Sequence, residues 1–87
     1  MSIENIDIKE ATIIDVRTPG EFMMGNVERS INIPLDEVSS RIEEIKNIAG
    51  NIVLCCASGG RSGQATMFLN QNGLSNVYNG GGWQTVD

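Results

Sequence analysis

At 87 residues with 40% hydrophobic composition, the chain has material for one modest core, so it reads as a single domain over residues 1–87. A net charge of −5 argues against nucleic acid or an anionic membrane surface as the main partner. With no histidine, Ser-His-Asp and Cys-His machinery and most zinc and haem sites are excluded. The two cysteines, Cys55 and Cys56, are neighbours, a spacing that suits neither a structural disulfide nor a metal clip. No metal and no cofactor is therefore expected. The first ten residues carry charges and lack an apolar segment, and no apolar run approaches membrane-spanning length. The expectation is a cytoplasmic protein.

Ala11–Val16 is apolar and β-branched and predicts a buried strand. Thr18-Pro19-Gly20-Glu21 predicts a helix opening, with Thr18 as N-cap, Pro19 at the first position and Glu21 at capping-box spacing. Gly25 ends that helix. Of Met23 and Met24, one is expected in the core and the other in solvent. Ile31-Asn32-Ile33 predicts a short strand closed by Pro34. Leu35, Val38, Ile42, Ile45 and Ile48 fall on one face of a helix, with Glu37 and Arg41 as an i,i+4 pair and Gly50 as its stop. Ile52–Cys55 predicts a second buried strand. Gln64–Gln71 predicts a helix, entered near Arg61 or Ser62, with Ala65, Phe68 and Leu69 facing inward. Asn76–Tyr78 predicts a third short strand. Gly80-Gly81-Gly82-Trp83 reads as a flexible turn, with Trp83 closing the core.

Strands alternating with helices predict a small α/β domain with a mostly parallel sheet and helices on both faces. In such sheets ligands bind beyond the carboxyl ends of the strands. The segment Cys56-Ala57-Ser58-Gly59-Gly60-Arg61-Ser62 falls at such an end. The amides from Ala57 to Arg61 are expected to curl into an anion nest around the sulfur of Cys56. The following helix start and the charge of Arg61 favour the thiolate, which is the reactive form. Gly59 and Gly60 allow the curl, and Ser58 and Ser62 offer hydroxyl donors. Asp15 and Arg17 flank the first strand end. They read as a structural ion pair, Arg17 with Asp15 or Glu21, that borders the pocket. Cys55 is expected to point to the opposite face of its strand from Cys56.

Taken together, these segments resemble the rhodanese-like sulfurtransferase family. The resemblance is carried by Asp15-Val16-Arg17 with Glu21 and Phe22, by Asn32-Ile33-Pro34, by the Cys56–Ser62 loop and by Gly80-Gly81-Gly82-Trp83. Gly25-Asn26-Val27 stands where the family has Gly-His-Ile, and Arg29-Ser30 where it has Gly-Ala. These changes are expected to alter the pocket entrance or a partner surface. Ala57 replaces a basic residue that often follows the cysteine, which weighs against thiosulfate as the preferred donor.

The resemblance implies a sulfurtransferase in which Cys56 becomes a persulfide, with Arg61 and the loop amides stabilising it. Its partners would be a small-molecule sulfur donor and a thiol acceptor, with a redox or sulfur-carrier protein as a further candidate. The alternative is a non-catalytic sulfur-carrier or binding module. A Cys-dependent phosphatase or arsenate reductase fits less well, because only four residues separate Cys56 from Arg61 and those phosphatases enclose five.

Overall fold

The structure, a computed structural model, describes residues 6–86. Four strands, β1 (Thr12–Asp15), β2 (Ile31–Asn32), β3 (Ile52–Cys56) and β4 (Val77–Gly82), form one sheet in the order β2-β1-β3-β4. All three pairings are parallel. The chain leaves β1 toward β2 on one side and returns to β3 on the other, so the topological switch point lies between β1 and β3. Their carboxyl ends, Asp15 and Cys56, open onto that crevice.

β3 is buried along its whole length, so its apolar run has no polar face. Its alternate residues feed two cores. Ile52, Leu54 and Cys56 join Ile14, Val38, Ile45, Ala65, Leu69 and Val77 on one face. Val53 and Cys55 join Ile13, Val27 and Val86 on the other, with Trp83 packed against them. The first face is covered by α2 (Ile42–Lys46), α3 (Gly60–Gln71) and a 3₁₀ turn at Leu35–Glu37. On the Trp83 side lies the end of α1 (Pro19–Met24). A Cβ on its C-cap, Gly25, would stand 2.9 Å from the Trp83 ring.

Three elements differ from the sequence expectation. The apolar face from Leu35 to Ile48 is broken into the 3₁₀ turn and the short α2. The spacing still buries Val38 and Ile45, and Arg41 still pairs with Glu37 at 3.2 Å. Helical spacing thus survives where continuous helix does not. Gly80-Gly81-Gly82 is strand, not flexible turn: Gly81 pairs with Cys55 and Gly82 with Cys56, and Gly80 is the extra residue of a bulge. A Cβ at Gly80 would lie 2.6 Å from a Val53 methyl, and one at Gly82 3.0 Å from the Ala57 carbonyl oxygen. Gly80 and Gly82 are there for close approach between β4 and its neighbours, and Gly81 for its left-handed φ of +80°. Finally, Met23 and Met24 are both in solvent, 83% and 89% exposed, because no residue of α1 is buried.

Candidate active site

Cys56 is the last residue of β3, and α3 begins four residues later at Gly60. The connection closes because Gly59 adopts φ +102°, a left-handed conformation suited to glycine. Its amide then points back at the sulfur, with Gly59 N donating to Cys56 Sγ at 3.0 Å. The amide and hydroxyl of Ser62, in the first turn of α3, both lie 3.4 Å from Sγ. Burial by itself pushes the Cys56 thiol up. The Ser62 hydroxyl and amide and the Ser58 and Gly59 amides outweigh it and bring the thiol down to about 7. The expected nest is therefore built from the Gly59 amide and the Ser62 amide and hydroxyl, with the Ser58 amide adding to the lowering. No hydrogen bond to Sγ comes from Ala57, Gly60 or Arg61, nor from the hydroxyl of exposed Ser58.

Asn79 holds this arrangement from the neighbouring strand, a role that sequence reasoning missed. Its Nδ2 donates to the Gly59 carbonyl at 3.1 Å, while its Oδ1 accepts from Ser62 Oγ at 2.7 Å and from Gly81 N at 3.0 Å. Asn79 stands beside the glycine run, and the expectation of a flexible turn there concealed it. The signal available in the sequence was a polar residue placed between the apolar Val77-Tyr78 pair and the glycine run.

Arg61 was expected to lend its charge to the sulfur. Its guanidinium grips Glu21 of α1 through two hydrogen bonds of 2.7 and 2.9 Å and also interacts electrostatically with Cys56. The Arg61 guanidinium holds the Glu21 carboxyl at about 2, helped by the Thr18 amide of the capping box. Glu21 is consequently not the side-chain partner of Arg17. That partner is Asp15, with Arg17 Nη2 to Asp15 Oδ2 at 2.7 Å and both residues buried. The remaining Arg17 donors go to the Glu21 and Gly25 carbonyls, and its guanidinium lies 4.5 Å from the Trp83 ring centroid. Asp15 and Arg17 thus fix the turn that presents Glu21 to Arg61.

The match to known proteins agrees with this geometry. The family model for the rhodanese-like domain matches residues 3–86. The chain belongs to the rhodanese-like domain family. An uncharacterized Bacillus subtilis protein, YqhL, is 38% identical over 71 residues, 82% of this chain and 56% of that protein. The Escherichia coli thiosulfate sulfurtransferase PspE is 36% identical over 74 residues, 84% of this chain and 71% of that protein. A solved rhodanese with anions from E. coli superposes with a TM-score of 0.77 at 36% identity, covering 85% of this chain and 88% of that one. The chain thus spans a little over half of one curated relative and more of another.

Around this rhodanese-like loop the other singled-out residues take structural positions. Cys55 is fully buried in the second core, facing away from Cys56, and burial pushes its thiol up to about 12. A buried, neutral thiol is the unreactive form. Asn26 caps α1 by donating to the Phe22 carbonyl, and Arg29 donates to the carbonyls of Ile8 and Ala11. Both departures from the family pattern tie backbone together, and neither lines the cleft beside Arg61. That cleft, of about 600 Å³, has apolar walls of Val16, Leu35, Val38, Ala65 and Phe68. Among the described residues no group of His, Cys, Asp and Glu is placed to hold a metal ion, and no helix is long and apolar enough to cross a membrane.

Proposed function

We propose that the chain is a sulfurtransferase that carries a sulfane sulfur on Cys56. The observation that carries this reading is the thiol at the strand end, ringed by the Gly59 amide and the Ser62 amide and hydroxyl, and brought to about 7. At neutral pH a large share of Cys56 is thiolate. It attacks the outer sulfur of a donor R–S–S⁻, the donor S–S bond breaks, and R–S⁻ leaves. Cys56–S–S⁻ remains. An acceptor thiolate then attacks the outer sulfur and Cys56 thiolate departs, so no external oxidant or reductant is consumed. The loop amides are the preorganised donors for the anion at each stage. Two half-reactions through one covalent intermediate predict ping-pong kinetics.

For the donor we favour a low-charge persulfide over dianionic thiosulfate. Ala57 supplies no cation, the Arg61 charge is countered by Glu21, and the chain carries −5 overall. The test is sulfur transfer to cyanide, read as thiocyanate, with each donor in turn. Parallel double-reciprocal lines and loss of activity in Cys56→Ser are expected. Thiocyanate formation undiminished in Cys56→Ser would refute the reading.

A further inference from the structure

We propose that Asn79 is a positioning residue for Cys56, acting through the single proton of the Ser62 hydroxyl. This inference rests on Cys56 being the reactive thiol, but not on which donor or acceptor it serves. Ser62 Oγ lies within reach of two acceptors, Asn79 Oδ1 at 2.7 Å and Cys56 Sγ at 3.4 Å. A hydroxyl has one proton and donates to one of them at a time.

The orientation of Asn79 decides which. The Gly81 N–H points at its Oδ1 at 3.0 Å, and its Nδ2 faces the Gly59 carbonyl at 3.1 Å. Reversing the amide would set N–H against N–H and carbonyl against carbonyl, so Oδ1 is fixed as an acceptor toward Ser62. Gly63 lets the amide approach this closely, since a Cβ there would lie 3.1 Å from Nδ2. While Cys56 is a thiol, Ser62 therefore donates to Asn79 and turns a lone pair toward the S–H.

Ionisation of Cys56 reverses the preference. The S–H proton leaves to solvent, and a charge-assisted bond to the thiolate is stronger than a neutral one to an amide. The Ser62 hydroxyl rotates about its Cβ–Oγ bond from Asn79 to Sγ, and no proton passes between residues. Asn79 Oδ1 keeps its bond from Gly81 N–H, so it is not left unpaired. Once sulfur is loaded, the charge sits on the outer atom and the hydroxyl returns to Asn79. Asn79 thus competes with the thiolate for one proton and limits how far Ser62 lowers the Cys56 pKa.

The test is the ultraviolet thiolate titration of Cys56 in four proteins: native, Ser62→Ala, Asn79→Ala and the double variant. Cys55, pushed up to about 12, stays out of the window. Comparing Ser62→Ala in the two backgrounds cancels any loosening of the loop that Asn79→Ala causes through Gly59. Ser62→Ala should raise the Cys56 midpoint more in the Asn79→Ala background than in the native one. The difference expected is on the order of half a pH unit, the scale of one competing hydrogen bond. Equal shifts, no shift in either background, or a larger shift in the native background would overturn the proposal. Asn79→Leu, which also removes the acceptor but fills the space, replaces Asn79→Ala if that variant fails to fold. The titration reads Cys56 whether or not sulfur transfer is observed.

Discussion

Glu21→Gln tests how the site sets the charge of its donor. Gln keeps the capping box of α1, because its side-chain oxygen still accepts from the Thr18 amide, as Glu21 does at 3.1 Å. It removes the negative charge opposite Arg61 and, with it, the hydrogen bond that Glu21 Oε2 accepts from Arg61 Nη2. The two side chains are 35% and 37% exposed, so solvent screens the pair and it belongs with surface ion pairs rather than buried ones. The range for such pairs corresponds to at most about a fivefold change in an equilibrium constant. Freed of Glu21, Arg61 should raise kcat/KM for thiosulfate by about two- to fivefold at low ionic strength. The gain for a singly charged organic persulfide donor should be smaller, and the thiosulfate gain should shrink as salt is added. The assay is thiocyanate formation with both donors, at two salt concentrations, in native and variant protein. An unchanged thiosulfate-to-persulfide ratio would refute the idea that Glu21 restrains Arg61 at the site.

Three further outcomes follow from the same geometry. The Cys56 thiol, brought from 9.0 to about 7 by Ser62, Ser58 and Gly59 against the opposing effect of burial, is thiolate above that value, so sulfur-loading rates should rise with pH and level off above about pH 7. A midpoint near 9 in stopped-flow loading would show the nest to be ineffective. Gly59→Ala places a Cβ at φ +102° and 3.3 Å from Gly81 Cα, so urea unfolding should give a loss of about 1–3 kcal/mol, and an unchanged midpoint would contradict the strained-turn account. Asp15→Asn leaves Arg17 buried beside Trp83 without its counter-charge and should cost about 3–5 kcal/mol in the same experiment, whereas a loss below about 1 kcal/mol would reassign the pair to a minor role.

The strands and a mostly parallel sheet were legible because apolar runs such as Ile13-Ile14 and Ile52-Val53-Leu54 have little alternative to burial on both faces. The Thr18 cap was legible because its hydrogen bonds are local in sequence. What sequence could not supply was the long-range pairing of polar groups. Arg61 and Glu21 are forty residues apart, and only the fold decides that Arg61 meets a carboxylate before it meets sulfur. Asn79 was missed for a related reason: its partners lie in Gly59 and Ser62, seventeen to twenty residues away across the sheet. The triple glycine misled because freedom of backbone and need for close approach call for the same residue. Val53 and Val86 beside Gly80, and the Ala57 carbonyl beside Gly82, are where a Cβ would collide and so distinguish the two.

Intact-protein mass spectrometry after brief exposure to a polysulfide donor, and separately to thiosulfate, decides whether Cys56 carries sulfur. A gain of one sulfur is expected that is greater from polysulfide, is removed by cyanide, and is absent in Cys56→Ser. No Cys56-dependent gain from either donor would contradict a persulfide at Cys56.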